Sequence, residues 1–252
     1  MSDFDRNYAA ATRGVSADRA AVDAGLRAYM VRIYNYMAVA VALTGAVSWL
    51  TFNAATTTNA AGNIVLTSFG QTLYSGPATI VLFLGTLGLV FAISWMIDRL
   101  SAGTALLMFM AYAALLGLML SSIFLVYTGT SITRVFFISA ASFGALSLYG
   151  YTTQRDLSAI GSFLIMGLIG LMIAMVVNIF LKSTMMDFII SCTGVLIFAG
   201  LTAWDTQKIK EMYDVNDDGT VSGRKVVMGA LSLYLDFINI FLFLLRLLGD
   251  RR

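Results

Sequence analysis

An all-α polytopic membrane protein of seven transmembrane helices, with the last helix central, is predicted by three features of this sequence. Of its 252 residues 59% are apolar and only 12% charged, proportions that no soluble core and surface share between them. Seven apolar stretches bounded by charges are each long enough to cross a bilayer, which takes about 20 residues. The last stretch carries an Asp at its middle, on a face that also holds Gly229, Ser232, Asn239 and Phe243. A polar ribbon of that kind on an apolar helix belongs against other helices or water, not against lipid.

The spans are expected at 33–53, 78–98, 104–126, 132–151, 158–181, 186–206 and 226–247. Residues 1–32 form a polar tail holding Arg6, Arg13, Arg19, Arg27 and Arg32, too long and too charged for the basic region of a cleaved signal. They precede a single seven-helix domain over 33–252. With the tail inside, the inner segments hold the five tail arginines, Arg99, Arg155, Lys208, Lys210, Arg224 and Lys225. The outer ones hold Arg134, Lys182, Arg246, Arg251 and Arg252. Basic loops stay on the cytoplasmic side, so the N-terminus is expected in the cytoplasm and the C-terminus across the membrane. Pro77, the only proline, reads as the start of the second span. Small residues at one-turn spacing (Gly85 and Gly88, Ala140 and Gly144, Gly161, Gly167 and Gly170, Gly194 and Gly200) read as seams where backbones approach closely.

Composition excludes whole classes of chemistry. With no histidine, Ser-His and Cys-His nucleophile pairs and imidazole metal sites are absent, and the single Cys192 permits neither a disulfide framework nor a thiolate cluster. No resident cofactor is expected, and a net charge of +2 carries no signal for nucleic acid.

What remains are charges where a bilayer disfavours them, each costing about 3 kcal/mol on insertion scales. Asp236 is in mid-span, and Asp205 is near the inner end of the sixth span. About a hairpin tip at Asp218, Asp205 lies 13 residues back and Asp236 18 forward, a height difference of about 7 Å. The two carboxylates therefore face each other across a modestly asymmetric turn. Close together in a low dielectric, both cannot stay ionised without a cation or base, and they titrate as a unit. Acid lets them share a hydrogen bond and removes negative charge from a cation path, which is a proton-operated gate in outline. The bland readings are a headgroup-level Asp205 and an Asp236 that merely satisfies neighbouring helices. Asp214-Val-Asn216-Asp-Asp218-Gly219 opens like a calcium-binding loop, but Lys225 stands where the bidentate Glu is needed, so an acidic turn is expected.

The segment Ala230-Leu-Ser-Leu-Tyr-Leu-Asp236-Phe-Ile-Asn239-Ile-Phe-Leu-Phe-Leu-Leu-Arg246, preceded by Trp204-Asp205-Thr-Gln207-Lys-Ile209, resembles the C-terminal signature of the transmembrane Bax inhibitor motif family, as found in a bacterial member. Trp95-Met through Arg99-Leu-Ser-Ala-Gly103 and Asn178-Ile-Phe extend the similarity over most of the chain. The resemblance implies six helices around a central seventh and a pH-sensitive calcium leak. Its paired aspartates correspond to Asp205 and Asp236, which would meet calcium only in passing. Ser232 and Asn239 are the supporting polar stripe. Two departures stand out. Some members latch the first aspartate with an arginine at the inner end of the second helix, where this chain has Ile97. Arg99, two residues along and rotated by about 200 degrees, is the candidate inner counter-charge. Some members carry a glutamate in that helix, where this chain has Thr86.

Three functions follow as expectations. The first is a passive, proton-regulated cation leak favouring calcium, not an enzyme, in a bacterial inner membrane. The second is a non-transporting regulator of membrane-protein quality control or stress response, with a partner such as a quality-control protease held by the Arg-rich tail, whose composition also suits anionic lipid. The third, an intramembrane aspartyl protease, has the two acids but lacks a GxGD motif, Asp236 being preceded by Leu-Tyr-Leu.

Overall fold

The computed structural model describes the backbone of residues 3–60 and 62–252 and the side chains of residues 22–60 and 62–252; Arg6, Arg13 and Arg19 lie outside the described side chains. Helix α1 (Asp3–Ala55) leads into a hairpin of β1 (Thr56–Thr58) and β2 (Ile64–Leu66), with Thr56 opposite Leu66. Short α2 (Ser68–Leu73) follows, then α3 (Gly76–Met96), which ends in a 3-10 turn at Ile97–Arg99. The rest is helical: α4 (Ala102–Leu120), α5 (Ile123–Val126), α6 (Gly129–Thr152), α7 (Ser158–Leu181), α8 (Thr184–Glu211) and α9 (Gly219–Leu248).

Among the described residues seven spans are long and apolar enough to cross a membrane: Val22–Ala55, Gly76–Arg99, Ala102–Val126, Gly129–Thr152, Ser158–Leu181, Thr184–Glu211 and Gly219–Leu248. The first begins well before residue 33, because Tyr29 and Met30 already pack in the core. Periodicity of hydrophobic residues locates the apolar stretch of a helix but not the polar turns that extend it past the bilayer. The uncharged loop after the first span is itself folded, as β1, β2 and α2.

Local chemistry sets the helix starts. Ser75, Ser101, Thr128 and Ser183 each accept a hydrogen bond from the backbone N–H three residues on, and Asp218 accepts from Thr220 and Val221. Pro77 stands in the first turn of α3, where its missing N–H costs nothing. Helix α7 has no side-chain cap of its own; instead Gln207 of α8 accepts from the Leu157 amide at 2.8 Å and donates to the Arg155 carbonyl at 2.8 Å.

Helix α9 is the centre of the bundle. Its most apolar 18-residue window is 72% buried, against 11% for α3 and for α7. It packs against α1 and α4 on one side and α6 and α8 on the other, while α3 rests on α4 and α7 on α8. Four helices thus make most of the contact with the seventh. The outward faces are apolar, with Trp95, Leu107, Phe180 and Leu196 strongly exposed, as lipid contact requires.

The glycine seams divide by position. Atoms built at Gly161, Gly194 and Gly200 would overlap Trp204, Phe243 and Leu164, so these glycines admit large side chains from the neighbouring helix. Gly85, Gly88, Gly144 and Gly170 meet nothing within 4 Å, and the seams expected there are not packing contacts among the described residues. Close approaches to a neighbouring helix backbone fall at glycines outside those pairs: Gly150 lies against the Ala203 backbone, and Gly117 against the Thr44 carbonyl and the Val47 side chain. Gly150→Ala is expected to lower stability by about 1–3 kcal/mol, because a carbonyl cannot swing aside. Gly88→Ala is expected to be neutral or stabilising by up to about 1 kcal/mol. Reversible unfolding in detergent distinguishes the two.

Candidate functional site

The centre of the site is a meeting of α8 and α9. Their connecting turn is held by its own polar groups: Asp214 accepts from the Asn216 amide at 2.9 Å, Asp218 caps α9, and Lys225 pairs with Asp217 at 2.5 Å. The Asn216 amide and side chain hold the Asp214 carboxyl below the usual carboxylate range. The acids of the calcium-loop look-alike are thus spent on a turn, a cap and an ion pair. Among the described residues no group of three or more acidic or thiol side chains is placed to hold a metal ion.

With the hairpin so fixed, Asp205 of α8 faces Ser232 of α9, whose hydroxyl donates to its Oδ2 at 2.5 Å. One turn further along the same face of α9 comes Asp236, 5% exposed, near enough to Asp205 for the two carboxyls to act on each other electrostatically. Its Oδ2 is buried with no hydrogen-bond partner. In such surroundings two bare carboxylates repel and lack solvation, whereas one proton placed between them satisfies the orphaned oxygen.

Other expected members are placed differently. Asn239 donates to the Leu235 carbonyl of its own helix at 2.8 Å, so it relieves its own amide rather than the acids. Arg99 is exposed in the turn after α3 and has no ion pair among the described residues. The positive charge that acts on Asp205 is Lys208, three residues further along α8, whose ammonium lies 5.1 Å from the Trp204 ring centre. That spacing is the i, i+3 relation of helix neighbours, a signal already present in Asp205-Thr206-Gln207-Lys208. Ile97 packs against the core as an ordinary apolar residue. The Thr86 hydroxyl is spent on the Phe83 carbonyl at 2.8 Å.

Hydroxyl bridges hold the surrounding helices. Tyr34 of α1 meets Ser147 of α6 at 2.5 Å, and Ser147 meets Thr206 of α8 at 2.9 Å. On the opposite half of α9, the fully buried Tyr234 hydroxyl meets Thr44 of α1 at 2.7 Å, and Thr44 also reaches the Ala113 carbonyl of α4 at 2.9 Å. None of these residues announces itself in the sequence, since Tyr, Ser and Thr are common in spans and only the partner makes them informative.

A lipid-facing helical bundle whose innermost span carries one acid against another defines an integral membrane protein of the polytopic all-α class. The chain belongs to the family described as inhibitor of apoptosis-promoting Bax1, which it matches over residues 26–252. It is similar to a Rickettsia prowazekii protein, 48% identical over 91% of this chain and 92% of that one. It is also similar to the inner membrane protein YbhL of Escherichia coli K12, 46% identical over 91% of this chain and 94% of that one. A Caulobacter vibrioides protein is 40% identical over the full length of both.

Replacing Thr44 by Val removes the partner of a hydroxyl that water cannot reach, and is expected to cost about 1–3 kcal/mol. Tyr234→Phe, which leaves Thr44 bonded to backbone, is expected to cost less, and the double variant less than the sum of the two. A double-mutant cycle on unfolding free energies reads this.

Proposed function

We propose that the chain is a proton-gated leak for cations, calcium foremost, in a bacterial inner membrane, with the Asp205–Asp236 pair as its gate. The observation that carries this reading is the unpartnered carboxyl oxygen of Asp236, buried at the centre of the bundle beside a second carboxyl. With a proton between them the acids attract, α8 and α9 stay together, and no net negative field draws a cation inward. Stripped of that proton, the pair carries two charges that repel in a poorly screened interior. The helices then gain by separating, and the exposed carboxylates attract a divalent cation. Ser232 and Lys208 steady Asp205 in either state, so Asp236 undergoes the larger change of environment. The sign follows: flux falls as pH drops through the titration of the pair and rises as pH increases.

The same reading puts the tail end in the cytoplasm. Of the basic residues flanking the spans, Arg99, Arg155, Lys208, Lys210, Arg224 and Lys225 stand at that end together with the tail arginines. The function asks for no cofactor and no bond-making chemistry. The name of the Escherichia coli relative supports the membrane assigned.

Calcium uptake into phosphatidylcholine vesicles holding an indicator tests the gate. Asp236→Asn supplies a permanent N–H donor toward Asp205, imitating the protonated pair, and Asp205→Asn does the same in the other direction. Both variants are expected to leak at the low acid-side rate at every pH. Flux and pH dependence equal to wild type in both would remove the gate.

A further inference from the structure

Beside α9, at the end of the bundle where the β hairpin lies, α7, α8 and the C-terminal segment enclose a cavity of about 820 Å³. Three cationic side chains line it: Lys182 from the turn between α7 and α8, Arg246 from the last turn of α9, and Arg251. Among the described residues none of the three is ion-paired. The only acid in the lining, Asp187, is engaged by the Asn178 side-chain amide at 2.6 Å. The lining therefore keeps a surplus of two positive charges.

Several features make this a built site rather than a chance meeting of surface bases. The C-terminal strand is strapped over the bundle: Arg252 donates to the Val126 carbonyl at 2.9 Å, and Thr128 donates to Asp250 at 3.1 Å, which seats Arg251 beside Tyr127. Arg246 is steadied over the Phe243 ring at 5.7 Å. Lys182 stands at φ 50, the left-handed region that favours glycine, so a charged side chain occupies a position where backbone ease alone would choose otherwise. The remaining wall mixes the polar Asn178, Thr184 and Ser191 with apolar side chains, of which Ile179 and Phe188 also open onto the lipid-facing surface.

From this combination we infer that the cavity binds the phosphate headgroup of an anionic phospholipid from the adjacent leaflet, with its acyl chains along α7 and α8. The charge surplus selects an anion, and guanidinium groups match phosphate oxygens in forked pairs. The exposed apolar side chains of Ile179 and Phe188, leading to the bilayer, select an amphiphile over a free ion. Bases at such a level attract anionic lipid by roughly fivefold in affinity each. The inference stands apart from the leak, since binding is read without calcium.

The test is a titration of full-length protein in neutral detergent with phosphatidylglycerol, phosphatidylcholine or inorganic phosphate, read as retained lipid by native mass spectrometry and as a shift in unfolding temperature. Phosphatidylglycerol is expected to bind and to raise the unfolding temperature, while phosphatidylcholine and phosphate do neither. Lys182→Gln, Arg246→Gln and Arg251→Gln are each expected to weaken the effect about fivefold. Arg155→Gln, the same loss of charge at the opposite end, leaves it unchanged. Equal effects of phosphate and phosphatidylglycerol would make this a free-anion site and overturn the lipid assignment. Equal weakening by Arg155→Gln and the three cavity variants would reduce the binding to general surface charge and overturn the site.

Discussion

A carboxyl group buried on the innermost helix is the constraint around which this bundle is organised. Removing a lone carboxylate from water costs several kcal/mol even after relaxation, so Asp236 persists only because something offsets that cost. In the function proposed, the offset is a proton shared with Asp205, which lies across the α8–α9 hairpin and is itself held by the Ser232 hydroxyl. In the function proposed, the two acids share a proton, and the arrangement is then sensitive to its supply.

The rest of the fold holds α8 and α9 in register. Helices α1 and α4 close one side of α9 and α6 and α8 the other. Chains of hydroxyls tie the enclosing helices together without introducing further charge: Tyr34, Ser147 and Thr206 on one half, Tyr234 and Thr44 on the other. Neutral groups satisfy buried polar atoms without creating the field that a second ion pair would impose near Asp205. The basic groups at the tail end are largely turned to structural ends. Lys210 donates to the Tyr151 carbonyl at the end of α6, and Arg224 to the Leu100 carbonyl before α4.

What could be read from the sequence follows the size of the energies involved. Seven spans stand out because burying or exposing some twenty apolar residues is a large term, and the two acids stand out because each violates it. Ser232 is legible by helical phase from Asp236. Arg99 and Asn239 were reasonable expectations from resemblance and from phase, yet Arg99 faces solvent and Asn239 bonds to its own helix. Side-chain direction at a helix end, and the choice between a neighbour and the i−4 carbonyl, are settled by small energies that the whole bundle decides. The glycines show the same limit: spacing marks Gly85 and Gly88 as strongly as Gly161, and only the face that meets a neighbouring helix, as Gly161 meets Trp204 of α8, separates them. Lys208 was within reach of the helix-neighbour rule. The cavity of Lys182, Arg246 and Arg251 was not, because its three bases come from segments far apart in the chain.

The shared proton is the central claim, and infrared difference spectroscopy of the protein in lipid reads it most directly. The account predicts, at neutral pH, the carbonyl stretch of a protonated carboxylic acid that exchanges slowly with deuterium and is missing from Asp236→Asn and from Asp205→Asn. A spectrum holding only carboxylate bands, unchanged by either substitution, would contradict it.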